Sequence, residues 1–227
     1  MLSMGSVLIQ KKMKFKGVIF DLDGTLVDSL QDISDAMNSV LQHYNYPTHS
    51  YEDYKNFIGS GIRSLVSKSL PLNQNNDTLV TNCFNLMIEV YRDNCTLKTK
   101  PYDGIIELLD NLKSRHIKLS VLSNKSDELT KHITQALFPN YFDPVVGLSI
   151  EAHKKPNPFG VLEISKTLGI PPEELIYVGD TGIDMQTATR ANMFGVGVLW
   201  GFRSKEELVS NGAKYVLSSP SDLIEIL

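Results

Sequence analysis

Apolar residues in this chain follow two kinds of pattern. Short unbroken runs at 18–20, 119–122, 145–148, 175–178, 196–199 and 215–217 are rich in Val, Ile, Leu and aromatics. Runs of this kind read as strands covered on both faces. Between them, apolar positions recur at helical spacing near 104–115, 127–137, 158–168, 183–191 and 204–211. Asp127 stands where it can cap the second of these helices, and Gly169 where the third should stop. Buried strands alternating with helices predict an α/β fold built on a doubly wound, Rossmann-like parallel sheet.

The alternation lapses between about 30 and 98. There Ile33, Met37, Val40 and Leu41 suit one helix, and Ile62, Leu65, Val66 and Leu70 a second. Leu79, Phe84, Met87, Ile88 and Tyr91 suit a third, and the polar run Asn73-Gln74-Asn75-Asn76-Asp77 is the loop between the last two. A helical stretch this long is no simple crossover. It predicts an inserted helical cap at 30–98 over a core formed by 13–29 and 99–227. Tyr102-Asp103-Gly104 marks the return to the core, with Asp103 capping the next helix. Met13 directly precedes the first convincing strand, so 1–12 read as a poorly ordered N-terminal extension.

Composition narrows the function classes. The 227 residues are 42% hydrophobic and 21% charged, with 22 basic against 26 acidic side chains and a net charge of −4. This fits a folded chain and offers no broad electrostatic grip on nucleic acid. No apolar run approaches the length of a membrane span, and Lys11, Lys12 and Lys14 follow the short apolar piece at 7–9, the reverse of a signal peptide. Cys83 and Cys95 have neither zinc-type nor redox-type spacing and read as reduced thiols of a cytoplasmic protein. The five histidines are scattered without ligand spacing.

The chemistry lies at the strand ends. Asp21-Leu22-Asp23-Gly24-Thr25 follows the first strand, where ligands of open α/β sheets bind. Two carboxylates at i and i+2 there concentrate charge for a cation, although the pair alone could merely end a strand and cap a helix. Ser123-Asn124-Lys125 follows the second core strand and offers a hydroxyl and an amide to phosphate oxygens. Lys155-Pro156-Asn157-Pro158 places a cation at a helix entrance. Gly179-Asp180-Thr181-Gly182-Ile183-Asp184 adds two carboxylates after another strand. Individually Ser-Asn and Lys-Pro are weak signals; the ordered set of four is a strong one.

This set resembles the four motifs of the haloacid dehalogenase superfamily of phosphohydrolases. The resemblance runs from about Met13 to the C-terminus and matches Asp21, Asp23, Gly24 and Thr25 to the first motif and Ser123 to the second. Lys155 matches the third, and Gly179, Asp180 and Asp184 the fourth. Lys154 competes for the third role, but the family's Lys-Pro-x-Pro pattern favours Lys155. The resemblance implies that Asp21 attacks phosphorus to form an aspartyl-phosphate and that Asp23 acts as general acid and base. It further implies Mg²⁺ held by Asp21, Asp23 through its carbonyl, Asp180 and Asp184, with Ser123, Asn124 and Lys155 on the phosphate.

Within the cap, Ile58-Gly59-Ser60-Gly61-Ile62-Arg63-Ser64-Leu65 is similar to a stretch of phosphoglycolate phosphatases. Gly59 and Gly61 also read as a plain turn opening a helix. Arg63 is either a solvated surface residue or a partner for a second anionic group of the substrate. Trp200-Gly201-Phe202 resembles the loop after the family's fifth strand, and packing is the duty expected of its aromatics. The resulting expectation is a Mg²⁺-dependent phosphatase acting on a small phosphorylated metabolite, 2-phosphoglycolate first. It would be a monomer or homodimer with no nucleic-acid or membrane partner. The alternatives are a β-phosphoglucomutase-like phosphomutase, a pyrophosphatase, or a non-enzymatic binding protein of the same fold.

Overall fold

The computed structural model describes residues 15–73 and 75–227. Expectations for the N-terminal extension, and for Gln74 within the polar loop, fall outside the described residues. In chain order the elements begin with β1 (Gly17–Phe20), β2 (Val27–Asp28), α1 (Leu30–His43), α2 (Tyr51–Phe57), α3 (Gly61–Ser69) and α4 (Asp77–Asn94). They continue with β3 (Lys100–Pro101), α5 (Ile105–Ser114), β4 (Lys118–Ser126), α6 (Asp127–Leu137) and β5 (Val145–Leu148). The last are α7 (Phe159–Leu168), β6 (Leu175–Gly179), α8 (Gly182–Arg190), β7 (Phe194–Val198), α9 (Lys205–Ser210) and β8 (Tyr215–Leu217).

Six strands form one parallel sheet in the order β5-β4-β1-β6-β7-β8. β1 is buried along its whole length, as a continuous Val-Ile-Phe run requires between two helical layers. Four helices, α1 to α4, are inserted between β1 and β4. The insertion leaves and returns through a short antiparallel ribbon pairing β2 with β3. Strands of two residues carry no periodicity, so the ribbon gives no signal in the sequence. α1 packs on α4 and α3 on α4, which joins the insertion's apolar faces to the main core. Among the described residues, no helix is long and apolar enough to cross a membrane.

Several local expectations are corrected. α2 has no counterpart in the sequence reading because Tyr54 is its only buried residue. Its start was nonetheless marked, since Ser50 and Asp53 form a reciprocal capping box. Asp127 does not cap α6: it lies inside the first turn, accepts from the Gly147 N–H at 3.0 Å and pairs with Lys131 at 2.7 Å. Asp103 does not cap α5 either; that helix starts at Gly104, whose positive φ of 84° turns the chain without a side-chain cap. Gly169 does close α7, in the left-handed conformation. Cys83 and Cys95 are both free and buried.

Candidate active site

The chain steps from β1 to β4 and β5 on one side of the sheet, then to β6, β7 and β8 on the other. The loops after β1, β4 and β6 therefore diverge and leave a crevice at the strands' carboxyl ends. Asp21 and Asp180 enter it directly after β1 and β6, and Ser123 from within the last part of β4. Lys155 comes from the loop before α7, and Asp184 from the first turn of α8. All five are at least nine-tenths buried.

Lys155 Nζ lies 2.8 Å from Asp21 Oδ1 and 2.7 Å from Asp184 Oδ1. Asp184 is fixed by the capping box of α8, in which its Oδ2 accepts from Thr181 N at 3.0 Å and Thr181 Oγ1 at 2.6 Å. Thr181 thus aims the other oxygen at Lys155. Asp180 accepts from Thr25 Oγ1 at 3.2 Å and from the Phe202 N–H at 2.9 Å. Gly24, with φ +83°, and Gly201 both press against Asp180, and a side chain at either position would run into it. Trp200 does more than pack: its Nε1–H donates to the Thr25 carbonyl at 3.0 Å and ties the loop after β7 to the turn after β1.

Burial, followed by the charges of Asp184 and Asp23 against that of Lys155, pushes the Asp21 carboxyl up to about 7. Burial and the charges of Asp184 and Asp21 raise Asp180 well above the carboxylate range. Burial works to lower Lys155, but Asp184 and Asp21 outweigh it and hold the ammonium charged.

Asp23 has a different environment. Its Oδ1 receives Lys125 Nζ at 2.8 Å and Ser29 Oγ at 2.6 Å, while Oδ2 has no partner among the described residues. Ser123 Oγ accepts from the Lys125 N–H at 3.2 Å. Asn124 does not present its amide to a phosphate. Its Oδ1 accepts from Lys155 N at 2.8 Å, and its Nδ2 donates to the Lys155 and Gly59 carbonyls at 3.3 and 3.2 Å. It is a brace between β4, the Lys155 loop and the insertion.

The cap residues divide. Gly59 lines the cleft facing Asp21 and Asp23, together with Ile33, Ile58, Ile62 and Leu65. Arg63 does not: it is exposed and donates to Thr81 Oγ1 at 3.1 Å on α4. Ile62 and Leu65, one turn apart, occupy the cleft-facing side of α3, and Arg63 lies a helical step of about 100° round from Ile62. Lys154 pairs with Glu151 at 2.7 Å, leaving the buried carboxylates to Lys155.

Three contributors escaped the sequence reading. Lys125 and Tyr91 meet at 2.6 Å beside Asp23. Arg203, in the loop after β7, donates to the Lys55 and Ile58 carbonyls and so pins the end of α2 to the core. The one available signal was the place of Lys125, three residues past the apolar run at 119–122.

The residues fit a hard divalent cation. Asp21, Asp180 and Asp184 each offer an oxygen within 4.8 Å of the others. Three carboxylates against one ammonium leave two negative charges unneutralised in a buried site, which accounts for the raised Asp21 and Asp180. The donors are all oxygen, which suits Mg²⁺-type rather than zinc-type coordination.

The model of the haloacid dehalogenase-like hydrolases matches residues 18–198. A phosphoglycolate phosphatase of Aquifex aeolicus is 36% identical over 211 residues, covering 92% of this chain and 95% of the relative. Another, from Chromobacterium violaceum, is 30% identical and covers 93% and 96%. A solved structure from Lactobacillus delbrueckii subsp. bulgaricus superposes with a TM-score of 0.88 at 33% identity, covering 95% of this chain and 99% of that one.

Proposed function

The chain belongs to the haloacid dehalogenase-like hydrolase family, and from that membership we propose a Mg²⁺-dependent phosphomonoesterase whose substrate is 2-phosphoglycolate. The observation that carries this reading is the buried Asp21–Lys155–Asp184 arrangement beside Asp180, with Asp23 next to it. The substrate assignment draws support from the phosphoglycolate phosphatases among the relatives. It also draws support from the cleft, where Ile33, Ile58, Ile62 and Leu65 face the two aspartates. A sugar's hydroxyls buried there without partners would cost about 1–3 kcal/mol each.

Asp21 Oδ2, free of protein partners among the described residues, attacks phosphorus as the bond to the leaving oxygen breaks. Asp23 hands a proton from its free Oδ2 to that oxygen, and glycolate departs. Asp23 then takes a proton from the water that attacks phosphorus, which releases phosphate and restores Asp21. Lys155, Ser123 and the backbone N–H groups following Asp21 hold the phosphoryl oxygens. Asp21, Asp180, Asp184 and the Asp23 carbonyl would hold Mg²⁺, which would supply charge neutralisation for the phosphoryl group. Residues 30–98 form the cap that excludes water, with Gly59 at its specificity-determining edge.

A substrate panel tests the assignment. With Mg²⁺, 2-phosphoglycolate should exceed sugar phosphates and pyrophosphate in kcat/KM by at least an order of magnitude. A flat profile, or isomerised sugar phosphate appearing without free phosphate, would overturn it.

Metal removal gives a second expected result. A carboxyl raised to about 7 favours the folded state when protonated. The metal-free protein should therefore lose stability as pH climbs from about 4 to about 7. At pH 7.5, Mg²⁺ at about a hundred times its Kd should raise Tm by roughly 5–10 °C. At pH 5, protons compete for Asp21 and the rise should shrink. An equal response at both pH values, or none, would contradict the charge account.

A further inference from the structure

Resting on the reading of the chain as a phosphoglycolate-type phosphatase, we propose that Lys125 is the residue that recognises the carboxylate of the leaving group. The expected candidate, Arg63, faces α4 rather than the cleft. Among the residues lining the cleft over Asp21 and Asp23, Lys125 is the one cation.

Lys125 stands near the end of β4, only 4% exposed. Its ammonium donates to Asp23 Oδ1 at 2.8 Å and to the Tyr91 hydroxyl at 2.6 Å, and lies 4.6 Å from the centre of the Tyr91 ring. Tyr91 is fully buried on α4, so the insertion and the core together fix the ammonium's position. An ammonium has three N–H donors, and two are taken. The third has no partner among the described residues, although Lys125 lines the cleft. A desolvated cation with an unused donor is an anchor for an anion, and a carboxylate gives it a charge-assisted bond.

Position favours a carboxylate over other anions. Asp23, which serves the leaving oxygen, touches the same ammonium. In 2-phosphoglycolate the carboxylate carbon is two bonds from that oxygen, so a group leaving beside Asp23 brings its carboxylate next to Lys125. The apolar side chains of Ile33, Ile58, Ile62 and Leu65 provide no competing polar partner across the cleft. The substrate class is thus a short phosphomonoester with a carboxylate on the carbon that bears the phosphoryl oxygen.

The test compares kcat/KM for 2-phosphoglycolate and for ethyl phosphate, which lacks the carboxylate, in the wild type and three variants. The ratio between the two substrates removes any loss that both share through Asp23. In Lys125→Met the ratio should fall roughly 10–100-fold, the worth of one charged hydrogen bond. Lys125→Gln can still hydrogen-bond Asp23 and Tyr91 and should show the same fall even if the Met variant folds poorly. Lys125→Arg keeps the charge and should hold the ratio within about threefold of wild type. An unchanged ratio in Lys125→Gln would overturn the proposal and leave the substrate assignment standing. A wild type that shows no preference for 2-phosphoglycolate would instead overturn the substrate assignment itself.

Discussion

Asp21→Asn should reduce turnover by about 10⁴–10⁶-fold, the loss typical of removing a covalent nucleophile, while leaving the fold intact. The amide has nearly the shape of the carboxylate but cannot form or release an acyl phosphate. Its effect on stability should run the other way. Burial and neighbouring charges push Asp21 up to about 7, so ionising it costs the folded state free energy that an amide never pays. The metal-free variant should therefore melt above the metal-free wild type at pH 8, and the gap should close as pH falls towards 5. Turnover within tenfold of wild type would remove Asp21 from the mechanism. A lower melting point at pH 8 would mean that its ion pair with Lys155 outweighs its burial.

Lys155→Met should damage stability and activity together. The ammonium bridges two buried carboxylates, Asp21 and Asp184, and a third, Asp180, stands beside them. Removing one partner of a buried ion pair costs about 3–5 kcal/mol because the remaining charge is left uncompensated. For a chain of this size that corresponds to roughly 6–20 °C in Tm. Activity should fall a further 10²–10³-fold, about the cost of losing one preorganised donor to the transition state. Mg²⁺ should recover much of the stability by restoring positive charge, but not the activity. Adding Asp184→Asn should cost less than the two single losses combined, since the pair acts as a unit. Additive losses would show that Lys155 and Asp184 act separately.

Most of the core and part of its charged cluster are legible in the sequence because several of the cluster's residues directly follow an apolar strand run. Asp21, Ser123 and Asp180 are examples, and the parallel sheet fixes where such residues meet. What the sequence conceals is direction. Arg63 has a chemistry suited to an anion, yet Ile62 and Leu65 occupy the cleft-facing side of α3 and turn it outward. Asn124 stands in a motif expected to bind phosphate, but its amide is taken by the backbone of Lys155 and Gly59. Lys125 reads as an ordinary charged residue until Tyr91, a residue of an apolar helix face 34 positions earlier, is seen to place its hydroxyl against it. Such pairings depend on how the insertion packs onto the core, which no local pattern records. The helix α2 escaped for the opposite reason: its capping box is present in Ser50 and Asp53, but one buried residue gives no periodicity.

The proposed mechanism passes phosphate through a covalent bond to Asp21. Acyl phosphates are reduced by borohydride to the alcohol, so quenching the enzyme during turnover of 2-phosphoglycolate with borohydride should convert Asp21 to homoserine. Peptide mass spectrometry should find that change at Asp21 and at no other aspartate, and only when both substrate and Mg²⁺ are present. Sustained hydrolysis with Asp21 unmodified, or homoserine at Asp23, Asp180 or Asp184 instead, would contradict it.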